Sequence, residues 1–321
     1  MKPHRPMLGF LLALNTAVFW GILPIIMKQT LTVMTPVTVV WYRYVFAIAG
    51  LGLFLGWRRE LPNPWSFARP QFLLFAVAAI GLSGNFIMFS SALQYIGPTG
   101  VQVLGQLGPM LLLILSVPVL KERMHRSQAI GAVVLVCGIL LFFNSELRRI
   151  FAHFDRNALG ILLATGAAII WSGYGVAQKI LSRSLTSQQI LWLVYCLCAL
   201  CLLPFAKPAS ILQMNAWQLG CLLFCGVNTL IAYGSFAEAL AIWQAAKTGA
   251  VIALTPLFTL LFSDVMHVCW PDLFEATTLN WIGYAGALVV VSGTILSVLG
   301  HVWSPFRKPK QAHLNQPPPA L

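Results

Sequence analysis

Two tryptophans sit deep inside long apolar runs, Trp20 in GFLLALNTAVFWGILPIIMK (9–28) and Trp171 in GILLATGAAIIWSGYGVAQK (160–179). Each lies about twelve residues, roughly 18 Å, from the start of its run at a helical rise of 1.5 Å per residue. An indole N–H at that depth wants a partner; because the position recurs in both runs, the pair is read as lining a central cavity, the alternative being tryptophans packed in the core. Few other hydrogen-bonding side chains occur inside the apolar runs: Asn15, Asn85, Gln102, Gln106, Ser172, Tyr174, Asn228 and Tyr233. As a set of amides and aromatics they suit a neutral, zwitterionic or aromatic solute. The competing use of such amides is hydrogen bonding between helices. Charges are scarcer. Arg43 lies about eight residues into its run, and Asp264 about four from the end of another. Their similar depth predicts an Arg43–Asp264 ion pair that closes the outer side in the inward-facing state and breaks on opening, offsetting the cost of a lone charge there, about 2.5–3.5 kcal/mol on insertion scales. The alternatives are snorkelling of Arg43 to the outer headgroups or hydrogen bonds to helix-end carbonyls. Glu238, near the end of its run, either pairs with Lys247 at the membrane interface or is a proton site for coupling.

Backbone interruptions accompany these residues. Gly21 and Pro24 follow the first Trp, Gly173 and Gly175 the second, and Gly108-Pro109 and Thr255-Pro256 interrupt two further runs. Proline removes a helix hydrogen bond and kinks the helix, so Gly21, Pro24, Pro109, Gly175 and Pro256 are expected hinges. There is no Ser, His and Asp triplet, phosphate loop or His/Asp acyl-transfer motif, which argues against an enzyme. Cys196, Cys198, Cys201, Cys221 and Cys225 spread around two helices with no His nearby, and read as small apolar residues rather than metal ligands. No metal and no cofactor is expected.

The elements that carry these residues follow from composition. The 321 residues are 59% hydrophobic and 9% charged, with a mean hydropathy of +0.81, against roughly 25% charged residues in soluble domains. Apolar runs near 20 residues match a hydrocarbon layer of about 30 Å. They are continuous rather than alternating, so they form helices and not a barrel. Ten spans are predicted, at 8–28, 35–56, 71–94, 98–119, 127–143, 158–179, 187–206, 217–240, 248–267 and 280–301. The basic start, Met1 to Arg5, leads into a run that passes Trp20 to Ile26 without a cleavage site, an uncleaved first span. The net charge of +12 is scattered over short loops, which speaks for membrane topology and against nucleic acid. With the N-terminus inside, fourteen Lys and Arg fall inside and five outside, with Arg43 within a span. Both termini are therefore expected to be cytoplasmic, and the tail from Ser304, ending NQPPPAL, disordered.

The two Trp-bearing runs share seven of twenty positions without a gap at an offset of 151. At an offset of 147, FSSALQY and GPMLLLILS align with FAEALAI and TPLFTLLFS, matching Phe89 to Phe236, Pro109 to Pro256 and Ser116 to Ser263. Gly131 and Gly138 in the fifth span find counterparts in Gly286 and Gly293 of the tenth. The chain thus reads as an all-α membrane protein of ten transmembrane helices in two five-helix repeats, 1–143 and 158–303, joined by a loop at 144–157 and followed by the tail 304–321. Five is odd, so the second repeat enters the membrane inverted, an organisation typical of secondary transporters.

These features together resemble the drug/metabolite transporter superfamily, specifically its ten-helix EamA-type members. The resemblance rests on FWGILPIIMK, Arg43, SSALQYIGPTGVQVLGQLGPM and LKERMHRSQAIGAVVLVCGILL, and covers essentially 8–301. The second half departs from it. Glu122 stands thirteen residues after Pro109, whereas Cys269 stands thirteen after Pro256, and Val194 occupies the position matching Arg43. The resemblance implies an exporter of a small organic metabolite, such as an amino acid, across the cell inner membrane by alternating access. Its partners would be that small-molecule substrate, membrane lipids and a coupling proton. The alternatives are a lipid-carrier flippase of the same superfamily and, more remotely, a membrane-embedded enzyme.

Overall fold

The computed structural model describes residues 6–62, 67, 69–120, 126–144, 156–182, 184–243, 245–276 and 279–299. The expectations for Glu122, for most of the 144–157 loop and for the tail lie outside the described residues. Twelve α-helices follow one another, with no strand among the described residues: α1 (Pro6–Thr30), α2 (Pro36–Trp57), α3 (Arg69–Ala92), α4 (Pro98–Gly105), α5 (Leu107–Leu120), α6 (Arg126–Phe142), α7 (Arg156–Leu181), α8 (Ser187–Leu202), α9 (Ala216–Ile242), α10 (Ala245–Ile252), α11 (Thr255–Cys269) and α12 (Trp281–Leu299). A 3-10 helix, Pro208–Gln213, separates α8 from α9.

Local chemistry sets the helix starts. Pro36 and Pro98 occupy the first turns of α2 and α4, where a missing N–H is harmless. Thr186 with Gln189, and Asn215 with Gln218, form reciprocal capping boxes at the starts of α8 and α9. The expected fourth and ninth runs each divide into two helices, at Gln106 and at Ala253-Leu254, beside the two Pro-containing interruptions. Six helical stretches are long and apolar enough to cross a membrane: Pro6–Thr30, Pro36–Trp57, Arg69–Ala92, Pro98–Val119, Arg156–Leu181 and Ala216–Phe236. Four shorter apolar helices, Arg126–Phe142, Ser187–Leu202, Thr255–Cys269 and Trp281–Ser297, accompany them. Large apolar side chains cover the outside, among them Leu53, Leu73, Ile80, Val133 and Leu200; in water such a surface would drive association, and in lipid it is the solvent-matched face. Trp57, Trp217, Trp270 and Trp281 are exposed at helix ends, where indoles favour the membrane interface.

The two halves interlock. Helix α1 packs on α9 and α3 on α7; α1 meets α11 and α5 meets α7; α2 meets α9 and α3 meets α8; α2 also packs on α8. Every one of these contacts joins a helix before residue 143 to one after 155. The last pair is α6 with α12, and its contact is made by glycine. Gly131 faces Gly293 and Ser297, Gly138 faces Val290, and Gly286 faces Phe142. A seven-residue spacing puts both glycines of each helix on one face, and without side chains the backbones approach directly, as small residues allow in membrane helices. Val194, at the position matching Arg43, is fully buried in the apolar cluster around Tyr44, Phe86 and Tyr195.

Candidate functional site

Arg43 projects from α2 into the middle of the bundle and is 3% exposed. Its Nε donates to Thr229 Oγ1 at 3.2 Å, its Nη1 reaches Met27 Sδ at 3.7 Å, and its guanidinium carbon lies 4.4 Å from the centre of the Phe86 ring. Thr229 is free to accept because its own hydroxyl donates to the Cys225 carbonyl. Aromatic rings continue from Phe86 in two directions. Tyr44 stacks on it at 5.4 Å and Tyr195 stacks on Tyr44 at 5.3 Å. On the other side Tyr233 lies 6.4 Å from Phe86, and Trp20 meets Tyr233 edge-on at 5.1 Å. The layer is therefore one cation embedded in rings from α1, α2, α3, α8 and α9. The Arg43–Asp264 ion pair expected from depth is absent in this conformation: Arg43 contacts α1, α3 and α9, and Asp264 is half-buried on α11, which packs on α1 and α4.

A second feature lies on α1, one turn from its proline. Pro24 has no N–H, so the carbonyl four residues back, Trp20, loses its helix partner. Gln102 of α4 supplies the missing donor, with Nε2 at 2.6 Å from the Trp20 oxygen. The carbonyls on either side are also approached: Asn228 Nδ2 donates to Phe19 O at 2.5 Å, and Thr259 Oγ1 to Gly21 O at 2.9 Å. Three helices, α4, α9 and α11, thus hydrogen-bond to three consecutive carbonyls of the kinked segment, using the second lone pair where the helix already uses the first. Along the same seam Asn15 Nδ2 donates to Ser235 Oγ at 2.9 Å, and Thr16 Oγ1 to Ala232 O at 3.2 Å. Three amides expected to line the passage, Asn15, Gln102 and Asn228, therefore hold helices together. Asn85 does likewise, donating to Ala167 O at 2.9 Å between α3 and α7. The contributions of Thr229, Thr259 and Met27 escaped the sequence reading, since a threonine or methionine within an apolar run carries no distinguishing signal; only the neighbourhood of Thr229 to Asn228 pointed to it.

The helix breaks lie against the Trp-bearing segments of the opposite half. A β-carbon at Gly21 would come 2.7 Å from Phe258 and also crowd the backbone of Thr255 and Thr259. Trp171 lies on Gly108, and Gly175 on Leu112. Trp20 also packs against Phe236, with ring centres 5.7 Å apart, while Trp171 leans toward Tyr174 at 6.4 Å. Gln106 is buried at the α4–α5 break. The two hinge prolines differ in setting: Pro109 is exposed and Pro256 buried. Pro256 orphans the Ile252 carbonyl, and Thr255 Oγ1 donates to that oxygen at 2.5 Å. Gly108 occupies the matching position in the first half and has no hydroxyl to offer. Thr255→Val, which keeps the shape and removes the donor, is expected to lower stability by about 1 kcal/mol, read as a fall in Tm of the purified protein. Glu238 is half-buried close to the end of α9.

A cavity of about 540 Å³ opens at the end of the bundle that carries the C-terminus of α1. Lys28, Gln29, Thr99, Ser263, Asp272 and Glu275 are among its lining residues, and none of the residues expected to bind a solute is. The segment after α11 is strapped over α1 there by the Lys28–Glu275 ion pair at 2.6 Å and by Gln29 Nε2 donating to Leu273 O at 2.7 Å. His267 Nδ1 lies 2.7 Å from the Phe274 carbonyl and steadies the same segment.

A profile of the EamA-like transporter family matches residues 7–144 and, separately, 158–299. The chain is 52% identical over 303 residues to the uncharacterized inner membrane transporter YhbE of Escherichia coli K12, covering 94% of each. An uncharacterized transporter of Haemophilus influenzae is 42% identical over 95% of this chain and 99% of its own. A probable amino-acid metabolite efflux pump of Escherichia coli K12 is 23% identical, over 91% of this chain and 95% of its own. One solved crystal structure overlays with a TM-score of 0.61 at 18% identity, covering 92% of this chain and 99% of that one, a likeness of fold.

Proposed function

Because the chain belongs to the EamA-like transporter family, we propose that it exports a small organic metabolite across the inner membrane by alternating access. The observation that carries this reading is the way equivalent positions pair across the two halves. Asn85 hydrogen-bonds to the Ala167 carbonyl, and Thr16 to the Ala232 carbonyl. At the repeat offsets of 147 and 151, Asn85 corresponds to Ala232 and Thr16 to Ala167. The same pair of positions thus meets twice, with donor and acceptor exchanged. That supports ten crossings in two inverted five-helix repeats, 1–143 and 158–303, each Trp-bearing helix abutting the broken helix of the other repeat. Two packings related by this exchange would open the passage alternately to either side. The excess of Lys and Arg in the predicted inner loops favours cytoplasmic termini, which puts the 540 Å³ cavity on the outer side. The efflux-pump relatives support outward movement of an amino acid or a related compound. Glu238, on the inner side in that orientation, is the candidate for proton coupling.

The test is a counterflow screen in proteoliposomes with a broad set of metabolites. Exchange of at least one of them is expected. Trp20→Ala and Trp171→Ala should lower its exchange about tenfold or more, equivalent to about 1.4 kcal/mol, while leaving the yield of folded protein within twofold. Normal exchange by both variants would remove the two indoles from the passage. Movement of lipid-linked carriers alone would favour a flippase.

A further inference from the structure

Arg43 is the only buried charged side chain among the described residues, and the structure gives it no carboxylate. A guanidinium has five N–H donors. Among the described residues its hydrogen bonds are two, to a hydroxyl and to a thioether, both uncharged and the second a weak acceptor. The Phe86 face adds a cation–π contact, which lessens the cost of burying the charge without balancing it. Two rings further along the stack from Phe86 through Tyr44, the Tyr195 hydroxyl is buried and has no partner, a costly state for a group that a phenylalanine could replace. Tyr195 shares with Thr229, the hydrogen-bond acceptor of Arg43, a void of about 10 Å³, about the size of one water, and Tyr233 lines the same void. Tyr195, a hydroxyl short of an acceptor, thus lines this space, and Arg43, a cation short of an anion, adjoins it through Thr229, which accepts its Nε–H.

We propose that Arg43 and the Tyr195 hydroxyl form a carboxylate site, and that the transported metabolite is a small organic acid whose carboxylate enters it. The proposal rests on the transport reading and specifies its substrate. A carboxylate accepts two parallel N–H bonds from a guanidinium and has lone pairs left for a phenol. One cation neutralises one carboxylate. A phosphate, at about −1.5 to −2 charge, would be left with uncompensated charge in the same layer. The void is collapsed in this conformation, so the site opens as α2, α8 and α9 separate during the cycle. The charge of Arg43 is retained in the membrane because its counter-ion arrives with the substrate.

The test uses the full-length protein purified in detergent and follows Tm against sodium acetate, sodium phosphate, sodium chloride and acetamide, with ionic strength held constant for the salts. Acetate is expected to raise Tm saturably and the other three are not. Arg43→Gln should abolish the acetate effect, and Arg43→Lys, which loses the planar fork, should weaken its apparent affinity about tenfold (about 1.4 kcal/mol). Tyr195→Phe should keep the wild-type Tm, because no hydrogen bond is lost, yet weaken acetate several-fold. A purely structural arginine would give the opposite result, a lower Tm with an unchanged response to acetate. The proposal is overturned if acetamide or chloride matches acetate, if phosphate exceeds it, or if Arg43→Gln retains the wild-type response. Should Arg43→Gln not fold, unchanged acetate affinity in both Arg43→Lys and Tyr195→Phe overturns it equally. Counterflow separates the two readings: exchange of a neutral metabolite that acetate does not inhibit sinks the carboxylate site and keeps the transporter, whereas saturable acetate binding with no exchange of any solute does the reverse.

Discussion

Replacing Gln102 with Leu is expected to destabilise the protein by about 1–2 kcal/mol, and most of that loss should disappear when Pro24 is replaced by Ala. Gln102 matters because Pro24 leaves the Trp20 carbonyl without a helix donor in a place that water does not reach, and the amide fills the gap at 2.6 Å. An Ala at 24 would return the backbone N–H to that oxygen, so the amide would then be largely redundant. The single and double variants form a thermodynamic cycle, read from Tm or from denaturant midpoints of the detergent-purified protein. A coupling close to zero would mean that Gln102 acts elsewhere. The same cycle has a functional side. Pro24→Ala straightens α1 beside Trp20 and Gly21, which lie against α9 and the start of α11, and turnover in proteoliposomes should fall even where stability is retained.

Gly293→Leu is expected to leave little folded protein. A β-carbon there already meets the backbone nitrogen and Cα of Leu135 and the Gly131 carbonyl, and backbone cannot step aside as a flexible side chain can. Even Gly293→Ala should cost about 1–3 kcal/mol, the range for overpacking a tight contact. Gly220→Ala is the matching control. Gly220 lies in α9 with open space where its β-carbon would be, so alanine there should gain about 0.5–1 kcal/mol through helix propensity. The readout is the monodisperse fraction in size-exclusion chromatography together with Tm. If Gly293→Ala behaved like Gly220→Ala, the close α6–α12 contact would not hold in the membrane.

Much of the architecture is legible in the chain because its causes are local. Run length and continuity dictate apolar helices; Pro36, Pro98, Thr186 and Asn215 dictate where several of them begin; the seven-residue glycine spacing marks faces that permit close approach. Pro24 and Pro256 announce orphaned carbonyls at Trp20 and Ile252 just as directly, since the consequence of a missing N–H falls four residues back in the same helix. What the chain does not reveal is the partner across the gap. Gln102, Asn228 and Asn85 looked like solute ligands because an amide inside an apolar run has two uses, and only the packing of α4, α9 and α3 shows them donating to carbonyls of neighbouring helices. Arg43 illustrates the limit best. Counting residues from the end of a span gives depth along the membrane normal, and on depth alone Asp264 is its match. Position in the membrane plane depends on which helices pack side by side, a property of the whole bundle. In this conformation that packing puts Thr229, Met27 and Phe86 around the guanidinium, with Asp264 on α11 outside that set.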